Sequence, residues 1–68
     1  MTDTLELEKR IKDSGIKKVF ILKALDLSYQ GFKNKVHNVH YFNADEIQKL
    51  CDILKINSKD KERIFFKR

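Results

Sequence analysis

Asn43, followed three residues later by Glu46, opens a run with apolar side chains at Ile47, Leu50, Cys51 and Leu54. An asparagine there can accept from a backbone N–H one turn on, while the glutamate reaches back to the cap's own N–H, so the pair starts a helix. The i, i+3, i+4, i+7 spacing gives that helix a single apolar stripe, which other elements must cover. A chain of 68 residues with two glycines and no proline has few means of breaking such helices. It reads as helical rather than disordered or all-β. With 41 % hydrophobic residues it can build one small core. A chain this short buries only roughly 60 % of the surface its unfolded form exposes, and such cores supply about 3–5 kcal/mol. Catalytic pockets of ~300–1,000 Å³ need walls that this length does not provide, so the expected protein is not an enzyme.

The same punctuation divides the rest of the chain. Thr4 to Ser14 is expected to be helical, with Asp3 as cap before Glu6, Leu7 and Ile11 four apart, and Gly15 as a left-handed stop onto which Ile16 folds back. Lys17 to Leu25 forms a second helix carrying Phe20, Ile21, Ala24 and Leu25 at helical spacing. Asp26-Leu27 breaks the pattern, and Ser28 caps a third helix over Tyr29 to about His37. Asn38 to Phe42 reads as a loop, and the helix capped by Asn43 comes next. Asn57-Ser58 is the last break, before a helix from Lys59 to about Phe66. The expected fold is all-α, a compact five-helix orthogonal bundle forming a single domain over residues 1–68.

Charge is unevenly distributed. Residues 1–8 carry a net −3, residues 9–41 eight basic against two acidic side chains, and residues 42–68 seven basic against five acidic. A central basic stretch in a chain of net charge +5 is an electrostatic footprint for a polyanion, with nucleic acid first and an anionic membrane second. The longest apolar run, Val19 to Leu22, is four residues, far short of a membrane span. The lone Cys51 has no partner for an internal disulfide or a zinc site. The expected protein is soluble and cytosolic.

Lys17 to Asn38 is the informative stretch. A two-helix DNA reader needs a bracing helix, a sharp turn and a second helix lying in the major groove. Ile21, Leu25, Leu27 and Phe32 supply apolar side chains where two such helices would touch. The i, i+3, i+4 rule places Tyr29, Gln30, Lys33, Asn34 and His37 on the outward side of the third helix, a face without a carboxylate. Gln30 and Asn34 each carry a carboxamide that matches the N6/N7 edge of adenine, and Lys33 can donate to guanine or a phosphate. Tyr29 can bond a phosphate or pack on a thymine methyl. Gly31 costs about 1 kcal/mol inside a helix. It is either a place of close approach to the DNA backbone or an incidental glycine held by packing.

With its five-helix setting, this stretch resembles the lambda-repressor-like (Cro and repressor type) helix-turn-helix domains. Residues 25–36, LDLSYQGFKNKV, together with Asp45-Glu46-Ile47 to Leu54 and the closing Arg63-Ile64-Phe65-Phe66, resemble short phage and prophage Cro-like regulators. The resemblance covers nearly the whole chain. It implies base reading by Tyr29, Gln30, Lys33 and Asn34. It also implies phosphate contacts from Lys17 and Lys18, where a helix N-terminus also favours anions, and from Ser28, Lys35, His37, Asn38, His40, Tyr41 and Asn43. It further implies a homodimer on a pseudo-palindromic operator, a nucleoid-associated place in a bacterial cytoplasm, and no cofactor. With no second domain after Arg68, the expected regulator acts by occluding a promoter. Three positions depart from that pattern: Leu22 stands where a small residue is usual, Asp26 where glycine is usual, and Lys35 where an apolar residue is usual. Val36 would take over the packing at the last of these.

The remaining features have simpler readings. His37-x-x-His40 lacks a cysteine or carboxylate at ligand spacing, so no metal site is expected, and protonation of either histidine would strengthen contact with phosphate. Cys51 reads as a core side chain, with a redox switch as the alternative. Asp45-Glu46 suits a helix N-terminus. Phe20, Phe32 and Phe42 are expected in the core. Ile64, Phe65 and Phe66 cannot all face inward from one helix, and they are assigned to a homodimer contact, with a C-terminal lid on the core as the alternative. A different reading of the whole chain is a protein–protein module, such as an antitoxin or antirepressor, built on the same fold.

Overall fold

Four of the five helices begin at a side chain that accepts a backbone N–H from its first turn, and the ends follow from this. A computed structural model describes residues 1–68 as α1 (Thr4–Ser14), α2 (Lys18–Leu25), α3 (Tyr29–Val36), α4 (Ala44–Leu54) and α5 (Ser58–Phe65), without strands. Asp3, Ser28, Asn43 and Asn57 are the capping acceptors of α1, α3, α4 and α5. At Asn43 the reciprocal bond from the Glu46 carboxylate is also made. The expected helices are all present, with small shifts at their ends. Lys17 is the cap residue of α2 rather than its first turn. His37 lies just past α3, and α5 begins one residue earlier because Asn57 caps it.

Three of the helices end in the left-handed region. Gly15 (φ 72°) does so without a Cβ penalty, whereas Asp26 (φ 55°) and Lys55 (φ 56°) carry side chains there. The strain at such a position is on the order of 1–2 kcal/mol, offset at Asp26 by N–H bonds back to Leu22 and Lys23. Gly31 sits against its own helix cap. A Cβ at this residue would lie 3.1 Å from Ser28 Oγ, the atom that accepts the Gly31 N–H at 3.0 Å. The corresponding caps of α1, α4 and α5 close with Glu6, Glu46 and Asp60 at the same position, so a side chain there would ask only a small shift of the Ser28 hydroxyl.

The core is one cluster of twelve side chains: Leu7, Ile21, Leu25, Phe32, Val36, Phe42, Ile47, Leu50, Cys51, Ile56, Ile64 and Phe65. The stripe of α4 lies at its centre, with α2, α1 and α5 packed on that helix and α3 packed on α1. Phe32, Phe42 and Phe65 form an edge-to-face chain with centroid separations of 6.0 and 5.7 Å, a favourable aromatic geometry. Val36 is buried as expected, and Leu22 and Leu27 pack partly buried against the cluster. Phe20 overturns its assignment: it is 57 % exposed, because α2 turns Ile21 and Leu25 toward α4 instead. Ile64 and Phe65 are buried in the core. Of the three residues assigned to a dimer contact only Phe66 remains at the surface, so the lid reading holds for the other two.

The chain's two ends meet. The Asp3 N–H donates to the Ile64 carbonyl, and Met1 and Lys67 exchange two backbone bonds at 2.9 and 3.0 Å. Arg10 of α1 binds Asp60 of α5 at 2.9 Å and Glu6 at 3.0 Å. Hydrogen bonding from Arg10, ahead of that from Arg63, holds the Asp60 carboxyl below the usual aspartate range. A depressed folded-state value stabilises the fold at pH above the ordinary carboxylate value of about 3.9, and this contribution is lost as pH falls through the lower folded value. Urea titrations through the acid range should therefore show the midpoint falling with pH, and Arg10→Met should flatten that fall. A variant that follows the wild-type curve would sever the link between this pair and acid stability.

Candidate nucleic-acid interface

The outward face of α3 follows from the inward one. Phe32 and Val36 are four residues apart and buried, so the opposite side of the helix holds Tyr29, Gln30 and Lys33, all exposed, with Asn34 half-buried beside them. The two carboxamides are joined: Gln30 Nε2 donates to Asn34 Oδ1 at 2.8 Å. That bond orients both groups. It leaves Gln30 with its carbonyl oxygen and one N–H, and Asn34 with two N–H donors. One flank of the face is cationic. Lys18 opens α2 and holds its ammonium 5.5 Å from the centroid of the Tyr29 ring, which ties α2 to α3 through a cation–π contact. Lys17 is exposed beside it. No side chain caps α2, in contrast to the other four helices. Positive ends of helices favour anions, so cationic side chains and a helix N-terminus act together here.

The other side chains expected to meet phosphate divide into two groups. His37, His40 and Tyr41 are exposed near the C-terminal end of α3, Tyr41 at 82 %. Of the rest, Lys35 and Asn38 have their donors engaged within the molecule, and Ser28 and Asn43 do not. The Lys35 ammonium binds both oxygens of Glu46 at 2.7 and 2.8 Å, and Glu46 is itself 7 % exposed. This pair joins α3 to the start of α4, so Lys35 is not a free phosphate ligand. Ser28 and Asn43 are exposed and accept cap bonds through their side-chain oxygens, which leaves the Ser28 hydroxyl proton and the Asn43 amide N–H groups free to donate. Asn38 bonds the backbone of Thr2.

Two features of this surface escaped sequence reasoning. Glu8 of α1 lies 3.6 Å from His37 Nε2, so a carboxylate stands at the edge of a face that α3 alone leaves free of them. Val19 and Phe20 of α2 are exposed at 59 % and 57 %. The first contact spans 29 positions, and the second depends on which side of α2 faces α4; neither has a local signal. Cys51 is buried and its thiol is pushed up by desolvation, which suits a core side chain and not a reactive one. No group of three or more potential metal ligands is present, and no helix is long and apolar enough to cross a membrane.

The chain is thus an all-helical, five-helix protein with one cationic, amide-bearing helical face. No protein-family model matches it, and no curated protein or solved structure matches it either.

Proposed function

We propose that the protein is a sequence-specific double-stranded DNA-binding regulator of transcription, a Cro-like repressor in which α2 and α3 act as a helix-turn-helix. The observation that carries this reading is the α3 surface: Tyr29, Gln30, Lys33 and Asn34 on one side, with Lys17 and Lys18 at the adjoining start of α2. An α-helix fits the major groove, and an exposed helix bearing amides and a lysine but no acid can meet base edges between phosphates. Lys17, Lys18 and the uncapped α2 terminus would hold one backbone strand, and His37, His40 and Tyr41 the backbone beyond the other end of α3. Phe66 and Met1 leave apolar surface for self-association. A symmetric dimer would place two α3 helices about 34 Å apart on a pseudo-palindromic operator and so occlude a promoter.

Fluorescence anisotropy with a random duplex and a fragment carrying the gene's own promoter, each at two salt concentrations, tests the reading. Tighter, salt-sensitive binding to the promoter supports it. Absence of duplex binding by folded protein sinks it. Within that experiment, Lys17→Ala and Lys18→Ala should each weaken binding to both duplexes equally. Each should also flatten the log–log salt dependence by about 0.9 for every phosphate no longer neutralised, doubled in a two-fold dimer. An unchanged salt slope would remove the two lysines from the interface.

A second reading is a protein–protein module, such as an antitoxin or antirepressor, favoured by the exposure of Val19 and Phe20 on α2. It predicts no promoter preference and no steep salt dependence in the same titration.

A further inference from the structure

Asn38 stands one turn beyond the reading face, in the left-handed region at φ 66°. Asparagine tolerates this conformation better than most residues with a side chain. Its carboxamide makes a two-bond pairing with the backbone of Thr2: Oδ1 accepts the Thr2 N–H at 2.8 Å, and Nδ2 donates to the Thr2 carbonyl at 2.9 Å. Thr2 is 7 % exposed, so losing the amide would strand two backbone groups where water has little access. Next to this pairing, Thr4 Oγ1 donates to the Val36 carbonyl at 2.7 Å, which occupies an end carbonyl of α3. The same N-terminal strap is fastened on its other side to α5, through the Asp3 N–H to the Ile64 carbonyl.

We infer that Asn38 is a positioning residue for the α3 reading face: it clasps the end of that helix to the N-terminal strap and so sets the helix's rotation on the domain. The inference rests on the proposed DNA reading. It replaces the phosphate contact that the sequence suggests for this residue. The physical argument concerns leverage. α3 has eight residues, and its starting end is held by the Ser28 cap and the Lys18–Tyr29 contact. Its far end is held by Lys35–Glu46 and by the clasp. Releasing the clasp lets that end turn and shift. Bidentate amide contacts to a base weaken steeply with misalignment, whereas attraction between lysine and phosphate has little directional demand. A loosened α3 therefore loses discrimination between sequences and keeps its general affinity for duplex DNA.

The test uses Asn38→Gly, which keeps the left-handed backbone accessible and removes the amide, and a second pair, Thr4→Val and Thr4→Ser. Two readouts are needed. In the DNA-free protein, hydrogen exchange at the last amides of α3 should speed up in Asn38→Gly and Thr4→Val, stay near wild type in Thr4→Ser, and remain unchanged in α4. In anisotropy titrations, the ratio of promoter to random-duplex affinity should fall about tenfold in the first two variants, the scale of one base contact, with random-duplex affinity unchanged and Thr4→Ser close to wild type. Wild-type exchange in Asn38→Gly overturns the inference. So does an equal loss of affinity for both duplexes, which is the signature of a direct phosphate contact. If wild-type protein binds no duplex, the DNA reading fails, and exchange alone decides whether the clasp holds α3.

Discussion

Ile64→Ala is expected to lower the free energy of unfolding by about 2–5 kcal/mol, the range for removing a large buried aliphatic side chain. Domains of this size rarely hold more than about 3–5 kcal/mol in total, so the loss is a large share of the whole and the variant should melt far below wild type by circular dichroism. The reason is position. Ile64 has no exposed surface, sits in the same cluster as the stripe of α4, and its carbonyl anchors the N-terminal strap. Phe66→Ala is the control. Phe66 is 49 % exposed, and its removal should cost roughly 1 kcal/mol or less in a monomer. If Ile64→Ala melts like wild type and changes only the concentration dependence of self-association, Ile64 belongs to an interface and not to the core.

On the proposed DNA-binding reading, Gln30→Ala should weaken binding to the preferred operator by about 1–3 kcal/mol, roughly 5- to 150-fold, and hardly change binding to random duplex. With one N–H given to Asn34, Gln30 retains an acceptor and a donor, the pair that adenine's N6/N7 edge requires. Asn34→Ala should cost a similar amount, both by losing its own donors and by releasing Gln30. The two side chains touch, so the double variant should lose less than the sum of the single losses. Anisotropy titrations of all four proteins against the promoter fragment give the cycle directly. Wild-type affinity in Gln30→Ala would move the reading face elsewhere.

The legible part of the fold is local. Each cap at Asp3, Ser28 and Asn43 involves residues three apart, and the turn at Gly15 needs only a residue free of a Cβ, so short windows of sequence contain the whole cause. The stripe of α4 is readable because its polar side is continuous. α2 is harder: Val19, Phe20, Ile21 and Leu22 are consecutive and offer apolar groups on every side of a short helix. Periodicity does not say that Ile21 faces inward and Phe20 outward. The packing of α2 on α4 decides it.

The surface divides in the same way. Spacing along α3 is enough to group Tyr29, Gln30, Lys33 and Asn34 opposite Phe32 and Val36, because side-chain direction on one helix is set by its own backbone. The positions of Lys35 and Asn38 on or beside the same helix suggest contacts with phosphate. Their partners, Glu46 and Thr2, lie 11 and 36 residues away, and only the assembled core brings them within bonding distance. The chain by itself thus determined five helices, the caps at Asp3, Ser28 and Asn43, and the side chains that line one face of α3. The tertiary structure alone decided which polar groups stay free there, because hydrogen bonds closed across elements depend on how the buried faces pack and not on spacing along the chain.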